Sequence, residues 1–257
     1  VSARYRVVIP ARYASVRLPG KPLLLLRGRP MIEWTHERAR RSHAEQVIVA
    51  TDDARIAQVA EGFKASVRMT AVTHACGSDR IAEVARQERW GDEEIVVNLQ
   101  ADEPLMPELL LDQVAELLAA HAGAEIATLA APLESIEALL DPNVVKVVSD
   151  AEQRVLYFSR APIPWVRDGA KGDLMSQRSH GHARRHLGLY AYRVGALKRL
   201  AALPPSPLEQ LEKLEQLRAL EAGMQIRLAD ALTTPGPDLN TEADRARVEA
   251  ALAQFAR

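Results

Sequence analysis

Tyr5-Arg6-Val7-Val8-Ile9-Pro10-Ala11-Arg12-Tyr13-Ala14-Ser15-Val16-Arg17-Leu18-Pro19-Gly20-Lys21-Pro22 decides how the rest of the chain is read. A short apolar run, Tyr5 to Ile9, stops at Pro10 and passes into a polar loop carrying Arg12, Arg17 and Lys21. Runs of this kind, alternating with longer amphipathic segments, are what buried parallel strands joined by helices look like. Ligands of open α/β sheets bind beyond the carboxyl ends of the strands, so this loop stands where a ligand would be met.

Outward from that unit the alternation repeats. A helix is expected from Pro30 to Arg41, a strand from Gln46 to Ala50, a helix from Ala54 to Glu61 and a strand from Ser66 to Thr70. A helix from Asp79 to Arg89 and a strand from Ile95 to Leu99 follow, then a helix with Leu110, Val114, Leu117 and Leu118 on one face, then a strand from Ile126 to Ala131. Beyond it Val144 to Val148 and Val155 to Phe158 read as a hairpin. Pro162 to Arg185 is irregular and is placed as a mobile loop, before a strand from His186 to Tyr192. Ser206, Pro207 and Glu209 make a helix start, and that helix is expected to run to Glu221 and stop at Gly223. A strand from Gln225 to Ala229 and a helix opened by Thr241 and Asp244 complete the chain.

The length, 257 residues, suits one large α/β domain, with two small domains as the rival partition. With 47% hydrophobic residues, 26% charged residues and a net charge of −1, nothing in the bulk composition argues for nucleic acid, disorder or a membrane. Any anionic substrate must be held by locally gathered cations. A single cysteine, Cys76, excludes an internal disulfide framework and a Cys-rich zinc site. The first run is short and no stretch nears the length of a membrane span, so the chain is read as mature and cytoplasmic.

Four constellations carry candidate chemistry. The Pro10–Pro22 loop offers three cations and several amides as a triphosphate cradle. It matches neither GxxxxGK[ST] nor GxGxxG, and a solvated basic loop explains the same charges. Val96-Val97-Asn98-Leu99-Gln100-Ala101-Asp102-Glu103-Pro104 is a strand ending in a carboxylate, which makes Asp102 a candidate Mg²⁺ ligand; capping of the next helix is the competing use. Thr70 to Arg80 joins a strand to a helix through Gly77 and Ser78, residues able to read the edge of a base or simply to cap that helix. His74 and Cys76 are two potential ligands, too few for a metal site. The fourth set is Ser159 to Trp165, Arg185 to Tyr190 and Ser206 to Glu209, with guanidinium groups for a carboxylate and donors for sugar hydroxyls; core packing and subunit contacts are the plainer uses.

In this order the segments resemble the 3-deoxy-manno-octulosonate cytidylyltransferase (CMP-Kdo synthetase) family. The likeness runs from Val7 to about Val248 and is carried by PARYASVRLPGKPL, ATDD at Ala50 to Asp53, DPNVVKVV at Asp141 to Val148, YFSRAPIPW at Tyr157 to Trp165, RHLGLYAYR at Arg185 to Arg193 and SPLEQLEKLEQLR at Ser206 to Arg218. The resemblance implies a nucleotide-diphospho-sugar transferase fold: a mixed, mostly parallel, Rossmann-like sheet flanked by helices, with a smaller dimerisation subregion. It implies a cytoplasmic homodimer that uses Mg²⁺, CTP and Kdo to make CMP-Kdo and pyrophosphate for lipopolysaccharide. Residues 1–131 would serve mainly the nucleotide, 132–230 the sugar and dimer contacts, and 231–257 a metal-site loop and the last helix.

By the same likeness Arg12, Ser15, Arg17 and Lys21 contact the triphosphate, with Lys21, Arg17 and Asp102 doing the catalytic work. Thr70, His74, Gly77, Ser78, Arg80 and Gln100 border the nucleotide. Gln100, Arg160, Arg185, His186, Tyr190, Glu209 and Gln216 line the acid-sugar pocket. Two departures stand out: Ala101 occupies a position where the family has glycine, and Asn240 replaces an aspartate expected on the metal with Asp102. Two alternatives stand beside this reading: a CTP-binding regulatory module with little turnover because of Asn240, and a synthetase for another acid sugar, such as sialic acid or an amino-substituted Kdo.

Overall fold

In β1 (Tyr5–Ala11) the side chains alternate between two cores: Val7 and Ile9 enter one hydrophobic cluster and Val8 the other. Both faces of the strand are buried, which is why its sequence shows no polar alternation. A computed structural model of the chain describes residues 3–14, 20–74, 76–169, 172–173, 176–237, 239 and 244–255.

After β1 come a small hairpin, β2 (Leu25–Leu26) and β3 (Arg29–Pro30), then α1 (Met31–Arg41), β4 (Gln46–Thr51), α2 (Ala54–Gly62), β5 (Ser66–Met69), α3 (Gly77–Gln87), β6 (Ile95–Asn98), α4 (Glu108–Ala120) and β7 (Ile126–Pro132). The second half holds α5 (Ile136–Leu140), β8 (Lys146–Ser149), β9 (Val155–Ser159), β10 (Arg184–Arg193), α6 (Val194–Ala202), α7 (Pro207–Glu212), α8 (Gln216–Glu221), β11 (Ile226–Asp230) and α9 (Arg245–Phe255). The main sheet runs β11-β7-β10-β6-β1-β4-β5, with the β8–β9 hairpin attached to β10. β1 lies parallel to both neighbours, Val7 opposite Val47 on one side and Val97 on the other. β10 alone among the strands of that path is antiparallel to its neighbours, pairing Tyr190 with Asn98 and with Thr128. The sheet is therefore mixed and mostly parallel, as expected.

Helices cover both faces. Leu110, Val114 and Leu118 of α4 pack with Val7 and Ile9, while Ile81 and Val84 of α3 and Leu197 of α6 pack with Val8. A smaller cluster docks α9, through Val248 and Leu252, onto Met31 and Trp34 of α1.

Three features differ from the sequence reading. α5, α6 and the β2–β3 hairpin were not anticipated. α3 begins at Gly77, two residues earlier than expected. The single helix expected from Ser206 to Glu221 is two: Lys213 adopts φ 53°, ψ 44°, a left-handed conformation that ends α7 before α8 starts. The break turns Leu214 into the core at 6% exposure, and an uninterrupted apolar periodicity conceals it. The Ser206–Glu209 capping box is present as read. Thr241, the expected opening of the last helix, lies outside the described residues.

Candidate functional site

At the carboxyl end of the parallel strands a cleft of about 280 Å³ opens between β1, the start of α3 and the end of β6. Pro10, Ala11 and Arg12 line one side, His74, Cys76, Gly77 and Arg80 another, and Gln100 the third. Arg12 is exposed, and no carboxylate among the described residues pairs with it. The cationic turn is closed by the Gly20 N–H, which donates to the Tyr13 carbonyl at 2.9 Å. Gly20 has φ 71°, and a Cβ there would lie 3.0 Å from the Tyr13 ring, so both backbone angle and space require glycine. That ring carries the Arg55 guanidinium 3.4 Å from its centroid, which braces the turn from outside.

Lys21 follows in a short 3₁₀ turn, and its Nζ donates to Asp102 Oδ2 at 2.6 Å. The two motifs picked out at the ends of β1 and β6 thus meet directly. Lys21 is largely buried, whereas the Asp102 side chain is 41% exposed and its Oδ1 has no hydrogen bond among the described residues. Thr35 Oγ1 donates to the Ala101 carbonyl at 3.0 Å and anchors this loop from α1. The Ala101 methyl packs into the core beneath at 6% exposure, and its φ is not positive, so the glycine-to-alanine departure is accommodated. Ser15, Arg17, Asp238 and Asn240 lie outside the described residues. Among the described ones no group of three or more His, Cys, Asp and Glu side chains gathers to hold a metal; Asp102 supplies a single carboxylate.

Behind the cleft wall the polar groups are tied to one another. The buried Arg80 donates to Thr70 Oγ1 and, at 3.0 Å, to Asp52 Oδ2, joining the start of α3 to the end of β4. His74 Nε2 lies 2.5 Å from Glu83 Oε2, which also accepts the Ala71 N–H. Ser78 donates to the Glu215 carboxylate, and Cys76 Sγ lies 3.3 Å from Ser78 Oγ. Burial raises the Glu215 carboxyl and pushes the Cys76 thiol up to about 12, so the thiol stays protonated. Glu215 escaped the sequence reading. It sits inside an apparently continuous helical repeat, and only the α7–α8 break turns it toward Ser78.

A second, smaller hollow of about 40 Å³ adjoins the same strand-end loop, lined by Glu103, Met106, Arg185, His186, Leu187 and Pro235. The pairing of β10 with β7 slips between His186 and Tyr190, around Gly188 at φ 72°. His186 Nε2 is 2.8 Å from Thr128 Oγ1, whose own proton goes to the Leu189 carbonyl at 2.7 Å. Nε2 must therefore carry the ring proton, which leaves Nδ1 as an acceptor. Burial beside Phe158 and Tyr190 lowers His186 to about 3, and it raises Tyr190 far above its ordinary range.

Of the remaining expected sugar residues, Arg160 and Glu209 are engaged within the protein. Arg160 donates to the carbonyls of Glu212 at 2.7 Å and Pro142 at 2.8 Å. Glu209 receives a two-pronged bond from the buried Arg218 at 2.8 and 2.6 Å. Gln216 opens α8 next to Glu215.

Residues 6–226 match the cytidylyltransferase family. The chain is 56% identical over 245 residues to the 3-deoxy-manno-octulosonate cytidylyltransferase of Thioalkalivibrio sulfidiphilus, covering 95% of this chain and 97% of the relative. It is 51% identical over 249 residues to the enzyme of the same name from Pseudomonas fluorescens, covering 96% and 98%. A solved structure of CMP:2-keto-3-deoxy-manno-octonic acid synthetase complexed with CTP superposes with a TM-score of 0.88 at 38% identity, covering 98% of this chain and 100% of that one. A 4-diphosphocytidyl-2C-methyl-D-erythritol synthase superposes at 0.64 with 13% identity over 98% of this chain and 99% of that one, a likeness of fold alone.

Proposed function

The chain belongs to the cytidylyltransferase family, alongside the 3-deoxy-manno-octulosonate cytidylyltransferases, and from that premise we propose that it joins CTP to Kdo, giving CMP-Kdo for lipopolysaccharide and releasing pyrophosphate. The observation that carries this reading is the 2.6 Å contact of Lys21 with Asp102 beside an open cleft at the ends of β1 and β6. It gathers phosphate-binding cations and a metal-competent carboxylate at one place.

In this reading the nucleotide enters the cleft between Pro10 and Gly77, with the Gln100 amide and the α3 start at the base. Arg12 and Lys21 lie along the triphosphate and offset its charge, Lys21 exchanging its carboxylate partner for phosphate oxygen. Residues placed as these are stabilise charge that shifts onto the leaving pyrophosphate. The anomeric hydroxyl of the sugar attacks the α-phosphorus in line; the new O–P bond forms as the bond to the bridging oxygen breaks, and the hydroxyl proton is released. Arg185 faces the sugar carboxylate, and His186 Nδ1 accepts from a sugar hydroxyl.

One carboxylate completed by substrate phosphates is the donor set Mg²⁺ takes, and Asp102 with its open Oδ1 fits it. Mg²⁺ held there would neutralise phosphate charge and polarise the phosphoryl group. The exposed Leu156 on the β8–β9 hairpin and Trp165 just beyond it favour a homodimer through that region. A nucleotide substrate favours the cytoplasm, and among the described residues no helix is long and apolar enough to cross a membrane.

The test is pyrophosphate release with CTP, Kdo and Mg²⁺, run beside sialic acid and an amino-substituted Kdo. Turnover confined to Kdo is expected. CTP binding without product from any sugar would leave the regulatory-module reading in its place.

A further inference from the structure

Lys146 in β8 is a lysine with no exposed surface. Its Nζ donates to three main-chain carbonyls, Val144 and Arg160 at 2.6 Å and Asp141 at 3.0 Å. Those bonds use every donor of an ammonium. Burial lowers its pKa, opposed by the nearby charges of Asp141 and Glu212 and assisted by Arg160. A buried charge is costly, and this one is compensated by main-chain oxygens and not by an ion pair among the described residues. What the ammonium organises is therefore backbone.

The backbone it organises belongs to the sugar side of the site. Asp141 and Val144 form the turn before β8, and Arg160 leaves the end of β9. In the sheet Lys146 lies opposite Ser159 on one side and Arg185 on the other. The Arg160 guanidinium is aimed by the Pro142 carbonyl within that same turn and by the Glu212 carbonyl of α7. The Glu212 carboxylate in turn accepts from Ser159 Oγ at 2.6 Å and from the Arg160 N–H at 2.9 Å. Lys146 thus fixes the main chain of Arg160 and also the turn its guanidinium rests on. With a neutral side chain, three carbonyl dipoles would converge with nothing between them, and the turn would open.

We propose that Lys146 is a positioning residue for the acid sugar: its ammonium ties the Asp141–Val144 turn to Arg160 and, through the sheet, to Arg185, and so sets both guanidinium groups for one carboxylate. This assignment rests on the acid-sugar reading above. The cleft beside α3 shares none of these bonds, so the nucleotide is left undisturbed.

Lys146→Met keeps the unbranched stem of the side chain and removes the ammonium with its donors. Steady-state kinetics are expected to show a Kdo KM raised on the order of tenfold, with the CTP KM within about twofold of wild type. Equal changes in both constants, or no change in either, overturn the assignment. If the variant does not fold, the wild-type chain gives the answer by hydrogen exchange in the presence of CTP with and without Kdo. Joint protection of 141–146 and 159–161 on adding Kdo supports it; protection of 159–161 with 141–146 unmoved overturns it. Wild-type turnover with Kdo is measured first: its absence overturns the function reading and this assignment together, whereas normal turnover with an unselective variant overturns the assignment alone.

Discussion

Among the described residues at the mouth of the cleft beside α3, Arg12 is exposed with no carboxylate partner and Lys21 pairs with a half-exposed Asp102, with Arg80 tied to Asp52 behind them, whereas around β10 and the α7–α8 break Lys146, Arg160, Glu209 and Glu212 are all partnered inside the protein. The half we propose for the nucleotide sits at the ends of parallel strands, where loops present groups that a ligand can satisfy. The half we propose for the sugar is assembled from antiparallel strands and short helices far apart in sequence, and the Arg218–Glu209 pair and carbonyl contacts hold those pieces in register. In the proposed reading charge serves the ligand chiefly in the first half and the scaffold chiefly in the second. Removing a charge should therefore lower turnover in the first and stability in the second.

Arg218→Met offers the largest expected break in that contrast. It strips Glu209, whose side chain is only 14% exposed, of its two-pronged partner, and breaking such a pair costs about 3 kcal/mol. Urea unfolding at unchanged m-value should report the loss as a lower midpoint. A shift worth under about 1 kcal/mol would mean that the sugar half is not held together by its charges.

Lys21→Ala is the mirror case. Loss of a transition-state contact should lower pyrophosphate release by ~10²-fold, about 2.7 kcal/mol in barrier. The unfolding midpoint should barely move, because its partner Asp102 is solvated and an exposed carboxylate loses little when left alone. Near-normal turnover would take Lys21 out of the reaction, and a large fall in midpoint would make it scaffold like Arg218.

The same contrast explains what the sequence disclosed. The meeting of Lys21 with Asp102 was legible because each piece is contiguous: an apolar run followed by a cation-bearing loop, and a second run ending in Asp102, already name a strand end and what stands there. The parallel strands followed from the run-and-helix alternation, whereas the mixed sheet was implied by the family resemblance. The sugar half was legible only in outline. Arg160, Arg185 and His186 were picked out, but nothing local singles out their partners: Lys146 and Glu212 sit unmarked inside longer quoted stretches, and Thr128 in a strand. Glu215 was hidden for a related reason: Lys213 is an ordinary residue in a left-handed conformation, and Leu208, Leu211, Leu214 and Leu217 keep helical spacing across the break.

Acid sharpens the comparison further. Burial lowers His186 to about 3 and His36, packed against Phe63, to about 4, both below the ordinary value near 6.5. Between those folded values and 6.5 the unfolded chain binds more protons, so stability is complete above 6.5 and falls as pH drops toward 4. Each neutral imidazole contributes about 1.4 kcal/mol per pH unit within its window. Melting followed from pH 7 to 5 should show a decline that His186→Gln makes shallower. Hydrogen exchange at pH 5 should loosen both α1, through His36, and β10, through His186; loosening of neither would take the two imidazoles out of the acid response.

The smallest expected effect separates two roles for one residue. Glu209 was placed in the sugar pocket by resemblance, yet one of its oxygens closes the capping box at Ser206 while both bind Arg218. Ser206→Ala removes the hydroxyl that accepts the Glu209 N–H and should cost about 1 kcal/mol, as loss of a helix N-cap does. Arg218 still fixes the Glu209 carboxylate in that variant, so the Kdo KM should stay within about twofold of wild type. If the KM rises severalfold while the midpoint stays put, Glu209 meets the sugar directly and its capping is incidental. The sugar half would then contain one carboxylate directed at ligand, as the nucleotide half does in Asp102.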